Sequence, residues 1–268
     1  MTVVEDLRAE GEELYAFLQT LEDRDWDRKT TFKQWTICDV VSHLYFGDYL
    51  GITSYRSGEA FLAFMGEVQS AEMPLVDFTR QWLEDTSGSE IFQRWYSQFN
   101  EMCDLFAAAE PERRLTWAGP DMGIKMFATA RLMETWAHAW EIYDCLGVSR
   151  TATDRIRHIA TIGVKTYGWT FANRQMPVPG QAPYVCLTAP TGAAIWEWNP
   201  EQEENRIVGE AVEFCQVVTQ VRNIADTALK VVGEPARQWM SIAQCFAGPP
   251  EQPPAPGTRA FGGELRRQ

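Results

Sequence analysis

Histidine is scarce in this chain: three in 268 residues, at positions 43, 138 and 158. The six cysteines, at 38, 103, 145, 186, 215 and 245, form no C-x-x-C pair, which excludes a zinc ribbon and a dithiol redox motif. They read as free thiols of a reducing compartment. No apolar run approaches the roughly 20 residues that span a bilayer. The segment "MTVVEDLRAEGEELYAFL" is acidic and helical, without the basic-then-apolar order of a signal peptide, so the expected location is the cytoplasm. Positive charge is in deficit, 24 Lys and Arg against 37 Asp and Glu, for a net charge of −13. A field of that sign repels phosphate backbones and argues against a nucleic-acid partner. No internal repeat is present.

Apolar material is plentiful. Hydrophobic residues make up 45 % of the chain and aromatic residues 12 %, with eleven tryptophans, as expected of a folded globular protein. Tryptophans at this density line cores or ligand pockets, and the core is the commoner place for any one of them.

The first two thirds read as helices. "VVEDLRAEGEELYAFLQTL" puts Val4, Leu7, Leu14, Phe17, Leu18 and Leu21 near one face. A second helix opens at an N-cap, Thr36, and closes at Gly58. A long segment from Pro74 to Ala109 begins with a favourable first-turn residue, and Ser87-Gly88 breaks or kinks it. "MFATARLMETWAHAWEIYDCLG" stops at Gly147, and one more helix covers 151–175. Prolines and a glycine in "MPVPGQAP" (176–183) mark a linker. Beyond it, "YVCLTA" and "AAIWEWN" read as strands around the turn "PTG", "GEAVEFCQVVTQV" as a helix, "TALKVVG" as a strand and "EPARQWMSIAQCFAG" as a last helix. The expected organisation is mainly α: a helical bundle over 1–175, a small α+β domain over 183–249, and a Pro/Gly-rich tail over 250–268 that forms no packed core of its own.

The chemistry concentrates in "ETWAH". On a helix Glu134 and His138 are one turn apart and point the same way. A carboxylate and an imidazole so spaced can grip one metal ion, with a further ligand from a facing helix. His43, among Val40, Val41 and Leu44, is the candidate. Two histidines and one carboxylate leave an open position, the arrangement of a catalytic metal. The set suits Zn²⁺ first, and also Fe(II) or Ni(II). The same E-x-x-x-H spacing also arises as a hydrogen-bonded pair without metal, and His43 also fits a satisfied core histidine. Cys145 lies seven residues past His138, about 10 Å of rise, too far to share its ion. His158, in a polar stretch, reads as a surface or capping histidine.

"TTFKQWTICDVVSHLYFGD" (30–48) and "GPDMGIKMFATARLMETWAHAWEIYDCLG" (119–147) resemble the two characteristic stretches of the mycothiol-dependent maleylpyruvate isomerase family, within the DinB/YfiT-like superfamily of metal-binding four-helix bundles. Residues 213–250 resemble the second domain of an actinobacterial branch. The resemblance implies metal ligation by His43, Glu134 and His138, the residues that spacing had selected. It departs at one place: the family has H-x-x-D, and here that position is Glu141, one methylene longer. It also implies mycothiol, a low-molecular-weight thiol, as cofactor and a small molecule as substrate. A divalent cation favours thiolate over thiol. Addition to an activated double bond, rotation and elimination would give isomerisation; addition alone, or displacement, would give thiol transfer. Arg131, one turn before Glu134, can pair with it, with a substrate carboxylate, or in a structural ion pair, and Arg222 can contact a substrate anion. With Glu141 these complete the candidate catalytic set. Two further readings stay open: a thiol-independent hydrolase, lyase or hydratase that uses the metal to activate water or a carbonyl, and a non-catalytic metal- or ligand-binding protein.

Overall fold

The structure, a computed structural model, describes residues 2–84, 86–119 and 121–259. The chain divides into two compact units, Met1–Ile142 and Tyr143–Gln268.

Four long helices build the first unit: α1 (Val3–Leu18), α2 (Ile37–Arg56), α5 (Gly88–Ala107) and α6 (Ile124–Leu146), the last running on into the second unit. Shorter α3 (Gly58–Ser70) and α4 (Leu75–Leu83) lie between α2 and α5 in sequence, and a two-stranded hairpin, β1 (Arg114–Leu115) and β2 (Met122–Gly123), precedes α6. Helix starts are fixed by side chains. Thr2 caps α1 in a reciprocal box with Glu5, and Thr36 caps α2 in a box with Asp39, as its position in sequence predicted. Ser57 ends α2 and caps α3 at once, its hydroxyl accepting from the Ala60 amide at 3.1 Å. Sequence patterning stopped α2 correctly near Gly58 but left α3 unassigned. The anticipated break at Ser87-Gly88 separates two helices: Glu84 turns left-handed (φ 46°) and Ser87 caps α5.

The core of this unit is an interdigitation of apolar stripes. Leu7, Leu14, Val40, Val41, Leu44, Trp95, Phe99, Met102, Leu132 and Trp136 are all 0–1 % exposed. Each fully buried side chain of this kind contributes roughly 1.5–3 kcal/mol relative to exposure. Most of the tryptophans serve this purpose: Trp26, Trp95, Trp136 and Trp140 here, and Trp196 and Trp239 in the second unit, are buried.

The second unit carries α7 (Arg157–Lys165), α8 (Tyr167–Asn173), α9 (Ala211–Val218) and α10 (Glu234–Ile242), with a four-stranded sheet of β3 (Tyr184–Thr188), β4 (Ile195–Trp198), β5 (Arg206–Glu210) and β6 (Lys230–Val232). Strand order is β4-β3-β5-β6, with β3 and β5 parallel and both outer pairs antiparallel. The expected mainly α chain with a small α+β C-terminal part is therefore the observed fold class. β5 escaped the sequence reading because "RIVGE" joins two charged ends and a glycine to only two apolar residues. The Pro-rich stretch 176–183 lies within the second unit, whose first residues are already engaged there: Arg150 stacks over Tyr143, and Asp144 pairs with Arg222.

Of the 250–268 tail, 260–268 lies outside the described residues. The described part has no helix or strand but is hydrogen-bonded down. The Glu251 carbonyl accepts from Gln220 and Arg174, the Pro254 carbonyl accepts from Asn223, and the Gly257 amide donates to Asp226.

Candidate metal centre

His43, on α2, meets Glu134 and His138, on α6. Both histidine Nε2 atoms stand 3.4 Å from the same carboxylate oxygen, Glu134 Oε2. One ligating atom from each of the three residues lies within 4.8 Å of the others, and the two imidazoles meet edge to face. Two donors bound at about 2.05 Å and a tetrahedral angle stand about 3.3 Å apart, so the observed separations fit one small divalent ion. The chemistry of the set, two imidazoles and a carboxylate, suits the same ion.

The electrostatics favour the ligating forms of Glu134 and His138. Burial would raise the Glu134 carboxyl, but hydrogen bonds and charge from His138 and His43 outweigh it and hold Glu134 well below the usual carboxylate range. Burial depresses His138, with Glu134 opposing. An anionic carboxylate and a neutral imidazole are the forms a cation needs. Access survives: the His43 and Glu134 side chains are 23 % and 24 % exposed, His138 only 10 %.

What orients the rings is unusual. Metal-bound histidines commonly donate their second nitrogen to a carboxylate or carbonyl. Here both Nδ1 atoms are buried and, among the described residues, have no hydrogen-bond partner. Aromatic packing takes over that role. Phe32 meets His138 edge-on at 5.2 Å, and Trp35 lies 5.5 Å from His43 and nearly parallel to His138. Both aromatics are partly exposed at the rim and sit on one tight turn, closed by Trp35 N–H to Phe32 O and by the Lys29–Thr36 bridge. The two central residues, Lys33 (φ 50°) and Gln34 (φ 59°), are both left-handed, a conformation that disfavours residues with a Cβ. A small surface cleft, partly open to solvent, adjoins the site; Trp35, Ser42, His43, Leu75, Thr79 and Arg80 line it. Arg80 there donates from Nε and Nη2 to both oxygens of Asp39, which lies in the first turn of α2.

The other residues singled out in sequence fall elsewhere. Arg131 is buried, and its partner is Asp48 rather than Glu134: Nε donates to Asp48 Oδ1 at 2.8 Å and Nη2 to the Leu44 carbonyl at 3.1 Å. Arg222 belongs to the second unit and grips Asp144 with both terminal nitrogens, at 2.6 and 2.7 Å. A substrate anion would have to compete with these carboxylates. Glu141 is buried on α6, three residues beyond His138. His158 is half-buried on α7, and Cys145 is half-buried near the end of α6. Sequence reasoning missed Asp48, Trp95 and the Phe32–Trp35 turn. Asp48 has a legible signal, a carboxylate amid the apolar residues of "LYFGDYLG"; the turn has none, since Lys-Gln is an improbable left-handed pair.

Comparison with known proteins gives the family and the fold. Two uncharacterized proteins of Mycobacterium tuberculosis, from strains CDC 1551 / Oshkosh and ATCC 25618 / H37Rv, are each 36 % identical over 247 residues, covering 92 % of this chain and 96 % of theirs. The crystal structure of the mycothiol-dependent maleylpyruvate isomerase shares the fold at a TM-score of 0.53 and 12 % identity, over 80 % of this chain and 86 % of that one; a mutant of the same enzyme gives 0.52. Residues 7–143 match the mycothiol maleylpyruvate isomerase N-terminal domain, a stretch that holds all three candidate ligands, and the chain belongs to that family.

Proposed function

We propose that this protein is a metal-dependent enzyme that uses a low-molecular-weight thiol, mycothiol, for isomerisation of, or thiol transfer to, an activated small molecule. The observation that carries the reading is the convergence of His43, Glu134 and His138 on one point at ligand spacing. A divalent cation held there, Zn²⁺ by preference, with Fe(II) or Ni(II) as alternatives, supplies a thiolate nucleophile at neutral pH. Mycothiol enters the proposal through the family and through the names of the solved relatives.

The residues of the chain divide the work. Glu134 brings the negative charge and His43 and His138 the neutral donors, three protein ligands that leave a position for a small molecule. Phe32 and Trp35 orient the imidazoles and give the rim an apolar wall that excludes water from one side. The small cleft toward Thr79 and Arg80 marks the side from which a thiol or substrate would approach the ion. Arg131 and Arg222 we assign to ion pairs, and Glu141 to the support of the α6 ligands. Elemental analysis of the purified protein followed by titration with mycothiol tests the reading: one divalent ion per chain, and saturable thiol binding that disappears when the ion is removed.

A further inference from the structure

We propose that Arg131 is a positioning residue for the metal centre: pinned by Asp48 and seated on Gly47, it fixes how closely α2 and α6 approach and thereby the spacing of His43 from Glu134 and His138. The proposal rests on the metal reading above.

Three contacts form one seam between these helices, a turn apart. At one end His43 faces Glu134 and His138. One turn on, Gly47 faces Arg131: a Cβ at Gly47 would lie 2.4 Å from Nη1 and 2.7 Å from Cζ. Another turn on, Gly51 faces Phe127, where a Cβ would lie 2.8 Å from Cε1. Numbers rise along α2 and fall along α6, so the helices are antiparallel and the seam is continuous.

The guanidinium cannot move aside at will. Asp48, fully buried, holds Nε, and the Leu44 carbonyl holds Nη2. Asp48 is itself fixed from a third helix, α5, by Trp95 Nε1 donating to Oδ2 at 3.0 Å. The group is therefore a rigid spacer one turn from the ligands, and only glycine at 47 leaves room for it. Ligand distances tolerate about 0.2 Å, and packed helices transmit shifts of that size. A change at Gly47 or Arg131 that the fold survives should still disturb the metal.

The test uses the full chain. Gly47→Ala pushes on the spacer. Asp48→Leu with Arg131→Met removes it without leaving a lone buried charge, a replacement that folds often accept. Gly11→Ala is the control: its Cβ would lie 2.2 Å from Phe99 on α5, so it strains the bundle at the α1–α5 contact. Zn²⁺ affinity is read by chelator competition, site geometry by the visible spectrum of the Co²⁺ form, and folding by thermal denaturation of the apo protein. We expect Gly47→Ala and the double variant to weaken Zn²⁺ about 10- to 100-fold, the range for groups behind the ligands, and to shift the Co²⁺ bands. Gly11→Ala should lower stability yet leave affinity within about twofold of wild type. If Gly47→Ala does not fold, the double variant decides. Wild-type affinity and an unchanged Co²⁺ spectrum in the folded double variant would overturn the proposal while His43→Ala still abolished binding. Equal binding by wild type and His43→Ala would instead overturn the metal reading, and the proposal with it.

Discussion

His43 Nε2 and Glu134 Oε2 stand 3.4 Å apart, although 91 residues of chain separate them. Oε2 of Glu134 is also 3.4 Å from Nε2 of His138, one turn along the same helix. One carboxylate oxygen thus sees two imidazole nitrogens at equal distance, an arrangement that a cation would complete.

Loss of either imidazole should be severe. Removing a group that merely orients a ligand typically costs 10–100-fold in metal affinity, so His43→Ala and His138→Ala should each lose more than about 100-fold. Chelator competition measures it, and apo thermal denaturation should show both variants folded.

The aromatic turn should act on the small molecule more than on the ion. Trp35→Ala is expected to retain one metal per chain and to weaken thiol binding by up to about 10-fold, the scale of one aromatic contact of roughly 0.5–1.5 kcal/mol. Gln34→Gly relieves a left-handed residue and should raise stability by about 1 kcal/mol. Isothermal titration and denaturant unfolding read the two effects. A thiol affinity unchanged in Trp35→Ala would remove the rim from the binding site.

Asp39 predicts a pH dependence. Burial would raise its carboxyl, but hydrogen bonds from Arg80 and Thr36 prevail and hold it below the usual value. Its folded pKa lies below the unfolded one, so the stability it contributes is fully present above about pH 4, the ordinary aspartate range, and fades as pH falls through the folded value. The stability gap between wild type and Asp39→Asn should therefore be largest near neutrality and shrink below about pH 4. Urea unfolding of the apo proteins across pH 3–7 checks this; a gap that widened in acid would refute the assignment.

Arg222 should matter to folding first. It and Asp144 are 2 % and 8 % exposed, and burial pushes the Asp144 carboxyl up against the pull of Arg222. Arg222→Met alone should cost about 3–5 kcal/mol by leaving that carboxylate uncompensated, whereas Arg222→Met with Asp144→Leu should cost far less. Denaturant unfolding distinguishes the two. A single variant of wild-type stability that bound substrate poorly would return Arg222 to the role of anion contact.

Much of this was legible in the sequence, because helices announce themselves locally. Thr36 sits where an N-cap belongs, and Glu134 and His138 share a face whatever the tertiary fold does. The pairing of α2 with α6 was not local, and His43 was joined to the other two by its place on an apolar helix and by the family resemblance. The partners of Arg131 and Arg222 were illegible for the same reason: an arginine on an apolar helix needs a carboxylate, but spacing offered Glu134 and the fold supplied Asp48. β5 and the Lys33–Gln34 turn run against propensity and are held by their surroundings: β5 by β3 and β6, the turn by the Thr30 and Trp35 hydrogen bonds.

The most direct measurement is the visible spectrum of the Co²⁺-substituted protein with and without mycothiol. The account predicts one Co²⁺ per chain and a thiolate-to-metal charge-transfer band that grows to saturation as mycothiol is added and is absent from His138→Ala. A stoichiometric Co²⁺ site whose spectrum does not respond to mycothiol would contradict it.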